Sequence, residues 1–195
     1  MMRSGKLLSA GILALAAGSQ SGAQSRAHEM ARRAAIHPVS AETDLQAWLH
    51  RVPITQDFPP DFIDTLKGEA PAFIIEASTA PGCLPCADVW AKLGMFRARY
   101  GWRIATLSKE DAMLRSGRLD LPWVGDPVVW VRPIADPSRT IPVAVGTDLL
   151  PNLARNIYLA TKMLTGVRAA VGVRAMSRFT GIVALPSLVR RPPVR

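Results

Sequence analysis

Between Pro71 and Gly166, short apolar runs alternate with stretches whose apolar side chains recur every three or four positions. Ala72 to Ala77 (Ala-Phe-Ile-Ile-Glu-Ala) is a compact apolar run of the length of a buried strand. Further on, Val89, Leu93, Phe96 and Tyr100 fall at i, i+4, i+7 and i+11, the spacing of one helix face, and Gly101 closes that stretch. Trp102 to Leu107 reads as a second strand. Ser108 to Gly117 is polar and helix-compatible, with Ser108 in the place of a cap. Pro127 to Arg132 reads as a third strand and Thr140 to Val145 as a fourth. The turn residues Pro133, Asp136 and Pro137 lie between them, as in a hairpin. Leu150, Leu153, Ile157, Ala160 and Leu164 then make the apolar face of a last helix. Asp148 is its expected N-cap, Pro151 lies in its first turn, and Gly166 sits where a C-terminal glycine belongs. Strands alternating with helices predict an α/β domain, and the closing hairpin makes its four-stranded sheet mixed.

The flanks are less regular. Ala27 to Ile36 is short, polar and helix-compatible, and His37-Pro38 breaks it. Thr43-Asp44-Leu45-Gln46 has the form of a capping box opening a short helix through His50. Pro53, Pro59 and Pro60 make the next stretch irregular, and Asp61 to Leu66 reads as a helical turn or two ended by Gly68. Residues 24–70 are therefore expected to be a partly helical approach segment, and 71–166 the folded domain.

Charge changes the picture at the two ends. The chain of 195 residues carries +9, but Gly166 to Arg195 holds six arginines and no acidic residue, and Arg3 and Lys6 stand near the start. The part between is nearly balanced and gives no electrostatic reason to invoke nucleic acid. Arg3 and Lys6, the apolar run Leu7 to Ala17, and Ser21-Gly22-Ala23 make the pattern of an export signal over residues 1–23. The alternatives are an uncleaved anchor or a buried helix. The expected location is the periplasm. The basic extension, 167–195, has two readings: a peripheral arm for an anionic membrane surface or acidic partner, or a disordered basic end with a short helix. The second suits the last six residues.

The chain has two cysteines, Cys83 and Cys86, three positions apart. In an oxidising compartment such a pair is expected to join. A purely structural bridge closing so small a ring would stabilise by only about 2 kcal/mol on the chain-entropy view. The histidines, His28, His37 and His50, all precede the domain without paired spacing, so a structural zinc site is not indicated. Two thiolates alone could hold Cu(I). Ala87 follows the second cysteine, which excludes attachment of a c-type haem. No metal and no cofactor is expected.

Three features together resemble the thioredoxin-like superfamily across about residues 71–166. Cys83-Leu84-Pro85-Cys86 stands between a strand and a helix, with Pro85 matching the proline found there in thioredoxins. The order of elements is that of a thioredoxin core. Asp126-Pro127-Val128-Val129 occupies the place of the family's cis-proline, with Pro127 falling 41 residues after Cys86. The chain departs from the family at Gly82, where thioredoxins usually carry tryptophan. Glu76 stands one position off the family's buried aspartate and reads more simply as a solvated carboxylate at a strand end.

The resemblance implies a thioredoxin-like fold and an exported thiol–disulfide oxidoreductase. Its catalytic residues would be Cys83 as attacking thiol, Cys86 as resolving thiol and Pro127. Leu84, Pro85 and Asp126 would contact the substrate: Leu84 through its apolar side chain, Asp126 through its backbone to an extended chain. The first helical turn, with unpaired N–H groups and a favourable dipole, would stabilise a thiolate. A motif without histidine argues against a strongly oxidising poise and toward a reductant or an isomerase. The implied partners are protein thiols and disulfides and a membrane or soluble redox partner. The other reading is a redox-inactive thioredoxin-like binding module in a cell-envelope assembly for secretion or conjugation.

Overall fold

The computed structural model describes residues 36–170 and 175–184. The expected export signal, most of the Ala27–Ile36 stretch and the last six residues lie outside them. The described chain runs β1 (His37–Pro38), α1 (Glu42–Leu49), α2 (Phe62–Glu69), β2 (Phe73–Ser78), α3 (Leu84–Tyr100), β3 (Arg103–Leu107), α4 (Lys109–Arg118), β4 (Val128–Pro133), β5 (Ile141–Val145), α5 (Leu150–Thr165) and β6 (Ile182–Val183).

The protein is α/β, with a mixed four-stranded sheet in the order β3-β2-β4-β5. β2 pairs parallel with β3 and antiparallel with β4, and β4 and β5 form the predicted hairpin. Alternation along β4 divides the core between two faces. Val129 and Val131 join Ile75, Val89, Leu93, Phe96, Leu153 and Ile157 beneath α3 and α5, while Val128 and Trp130 join Leu107 and Ala112 beneath α4.

Sequence-derived boundaries hold to within a residue or two in this region, and the capping residues explain why. Ser108 accepts the Asp111 N–H at 3.1 Å, and α3 and α5 end at left-handed Gly101 and Gly166. The N-cap of α5 is Leu149 rather than Asp148; the Asp148 carboxylate accepts the Leu149 N–H at 2.6 Å from one position earlier.

The approach segment differs more. Thr43 does not cap α1. The helix starts two residues earlier, from Ala41 with no side-chain cap, and Gln46 donates to Glu42 instead. Gly68 lies inside α2, which continues to Glu69. Phe62, Leu66 and Ala70 are buried in the main core, so the packed domain reaches back beyond Pro71. The helix that carries Phe62 and Leu66 packs on α3 and α5, which lie far along the chain.

The extension beyond Gly166 also enters the fold. β6 pairs parallel with β1, and Gly181 and Ile182 bond to the chain leaving β5 (Gly181 N–H to Val145 O, 2.9 Å; Thr147 N–H to Ile182 O, 3.0 Å). Ile182 joins a second small core with Val39, Leu45 and Leu49. Two glycines make room for this strand. A Cβ on Gly146 would stand 2.4 Å from the Ile182 nitrogen, and one on Gly125 would stand 2.3 Å from the Ala184 carbonyl oxygen.

Candidate functional site

The C-terminal end of β2 and the N-terminal end of α3 bring the cysteines together. β2 ends at the buried Ser78, whose hydroxyl accepts the Val128 N–H at 2.9 Å and so ties this strand end to the start of β4. The turn after it closes with Cys83 N–H donating to Ala80 O, and Cys83 is the N-cap of α3. Cys83 and Cys86 form a disulfide across the first turn, with Cα atoms 5.2 Å apart. The Cys86 N–H donates to Cys83 Sγ at 3.1 Å. When the pair is reduced, that donor and the helix dipole both favour negative charge on Cys83 sulfur. Pro85 occupies the first turn, where a missing N–H costs nothing, and it is buried.

Cys83 alone of the pair lines an open cleft of about 340 Å³, bounded by the Pro38–Ser40 segment, the Ala80–Gly82 turn, Lys109, Asp126 and Ala184. The Asp126–Pro127 peptide bond is cis, and the Asp126 carbonyl oxygen lies 3.7 Å from Cys83 Sγ. Cys83, Cys86, Pro85, Asp126 and Pro127 thus converge on one spot from two distant segments. The Asp126 side chain is buried, and its Oδ1 has no hydrogen-bond partner among the described residues.

Two expected substrate contacts are already engaged within the chain. The Asp126 carbonyl accepts the Ala184 N–H at 2.7 Å, in an antiparallel bridge. Leu84 packs against the small core formed by Val39, Leu45, Leu49 and Ile182. Neither contact was foreseen from the sequence. The signal available was the apolar, β-branched Gly181-Ile182-Val183-Ala184 inside an otherwise basic tail.

Glu76 is not a solvated strand-end carboxylate. It is buried, with Arg132 Nη2 2.8 Å from Oε1 and Arg115 Nη1 on Oε2. Arg115 also lies over the Trp130 ring at 5.5 Å. Burial by itself would raise this carboxyl, but the two guanidinium groups outweigh it and hold the pKa below the usual carboxylate value. Trp123 packs beside Leu107, Val128 and Trp130.

A larger groove of about 600 Å³ lies toward the other end of α3, among Phe58, Ile63, Met95 and Tyr100; neither cysteine lines it. Among the described residues, no cluster of three potential metal ligands occurs, and no helix is long and apolar enough to cross a membrane. No family model, no curated protein and no solved structure matches the chain.

Proposed function

We propose that this protein is an exported, thioredoxin-like thiol–disulfide oxidoreductase acting on protein thiols and disulfides. The observation that carries the reading is the placement of Cys83. It caps the first turn of α3, receives the Cys86 N–H, and borders a cleft beside the cis Asp126–Pro127 bond. The strand order and the parallel β2–β3 and antiparallel β4–β5 pairings agree with the thioredoxin-like arrangement that the sequence resembles.

In the oxidised form, a partner thiolate attacks Cys83 Sγ. The Sγ–Sγ bond breaks, and Cys86 leaves as a thiolate, favoured by its position in the helix's first turn. A second thiolate of the partner attacks the partner's own sulfur in the mixed disulfide. The partner departs oxidised, and Cys83 is left as thiolate. The reverse sequence reduces a partner disulfide, with Cys86 resolving. Pro127 shapes the wall that faces Cys83, and Pro85 stiffens the turn that carries it. The basic extension and a membrane or soluble redox partner complete the reading for the periplasm.

The binding-module reading is favoured by one observation, the coverage of Asp126 and Leu84 by the chain itself. The reduction potential separates the two. A value between about −120 and −270 mV fits an exchange catalyst, and a value below about −300 mV fits a structural disulfide. Cys83→Ser is expected to abolish turnover, and Cys86→Ser to accumulate mixed disulfides with partners. Full activity in both variants would overturn the enzyme reading.

A further inference from the structure

Resting on the exchange reading, we propose that Gly181–Ala184 is a built-in pseudo-substrate strand. It holds the peptide-pairing edge beside Cys83, so an extended protein partner must displace it, whereas small thiols reach the disulfide without doing so.

An extended partner would pair with a backbone edge. Beside Cys83 that edge is Asp126, and Ala184 already bridges it in antiparallel register, with its N–H on the Asp126 carbonyl at 2.7 Å. The occupation is built into the sequence on both sides. Gly125 and Gly146 are the positions where any side chain would collide with Ala184 or Ile182 backbone. The strand is anchored upstream of the bridge: Ile182 and Val183 are buried, Gly181 is bonded to Val145, and Thr147 to Ile182. Leu84, the apolar side chain between the cysteines, packs against the core that contains Ile182. The Ala184 bond to Asp126 is separate from the bonds that hold Gly181 and Ile182, so releasing it breaks none of them. The cleft beside it remains open to Cys83, so a small thiol does not need the Asp126 edge.

The test compares two thiols on the full chain with the disulfide formed. One is 2-mercaptoethanol. The other is a ten-residue peptide rich in β-branched residues with a single central cysteine. In both cases one thiolate opens the Cys83–Cys86 bond and a second molecule of the same thiol resolves the mixed disulfide, leaving two protein thiols and one oxidised thiol pair. Two variants release the edge by different means. Ala184→Pro removes the donor, and a chain ending at Val183 removes the residue while keeping Ile182 in its core.

A hydrogen bond's net worth corresponds to a few-fold to about tenfold change in population. The peptide's rate is therefore expected to rise by about fivefold in either variant, with the mercaptoethanol rate unchanged to within about twofold. If both thiols react and their rate ratio does not move, the pseudo-substrate proposal fails and the exchange reading stands. If neither thiol reduces the pair, both fail together. Should Ala184→Pro not fold, the shorter chain decides. A further check needs neither change. In Cys86→Ser trapped as a mixed disulfide with the peptide, the Ala184 amide should exchange with solvent faster than in the untrapped chain. Unchanged exchange there would overturn the proposal.

Discussion

Glu76 in the middle of the sheet and Asp148 at the foot of α5 are both buried carboxylates, yet they are shifted in opposite directions. Burial pushes both upward, because it penalises the charged form. At Glu76 two arginines reverse the sign by donating to both oxygens. At Asp148 the direct partners are neutral: the Leu149 N–H at 2.6 Å and the Asn152 amide at 2.9 Å. Lys92 adds only a coulombic pull, and the carboxyl stays raised to about 6. The nature of the partner, more than the depth of burial, decides the direction in which each carboxyl is shifted.

The sharpest way to break this comparison is to remove the charge at Glu76. Glu76→Gln keeps the shape but leaves Arg115 and Arg132 without their counterion. A loss of about 3 kcal/mol at pH 7 is expected, or roughly 6–12 °C in Tm for a chain of this size. The pH dependence has a definite sign. A depressed carboxyl contributes stability that is present above its unfolded pKa and lost as pH falls through the folded one. The parent and the variant should therefore converge in acid. Denaturant unfolding at pH 7 and pH 3 checks this, and a loss below about 1 kcal/mol at pH 7 would mean that the arginines are satisfied by water.

At Asp148 the sign is opposite. A raised carboxyl favours the folded state while protonated, and that contribution is lost as pH rises from the unfolded value near 4 toward the folded value of about 6. Asp148→Asn keeps an acceptor for the Leu149 N–H and carries no charge. It is expected to gain up to about 2 kcal/mol at pH 7 and almost nothing at pH 4. An equal gain at both pH values would show that the carboxyl is not the titrating group.

The same contrast shows how far the sequence could be read. The sheet and its helices were legible because they rest on local signals, period-2 and period-3.6 patterns and glycine stops, and the meeting of Pro127 with Cys83 and Cys86 was legible only through the resemblance of the motif and its spacing to the thioredoxin-like superfamily. The Glu76 pairing was not, since Arg115 and Arg132 come from α4 and β4 and any exposed arginine would look the same in sequence. The burial of Phe62 and Leu66 was hidden by the surrounding prolines. The tail strand was hidden for a related reason. Gly181–Ala184 is too short to show a period, and its partners at His37, Asp126 and Thr147 are scattered along the chain. Nothing local in the sequence marks Gly125 and Gly146 as the seats of another strand; the structure does.

The finest probe of the comparison is Lys92, which among the described residues is the cation that acts on Asp148, and does so only at a distance. If partner charge sets the sign, weakening this cation should move Asp148 further from Glu76, not closer. Lys92→Met keeps most of the buried stem and removes the ammonium. It also frees Asp88, which retains the Thr147 hydroxyl as a donor, so the single variant mixes two effects. A double-mutant cycle with Asp148→Asn isolates the one of interest. The coupling between Lys92 and Asp148 is expected to be about 0.3–0.5 kcal/mol at pH 7, where Asp148 is mostly charged, and to vanish at pH 4, where it is protonated. The fall in stability attributable to Asp148 should also shift to higher pH by a few tenths of a unit. Coupling that persisted at pH 4 would assign the effect to packing of the Lys92 stem, and the electrostatic account of Asp148 would then rest on burial alone.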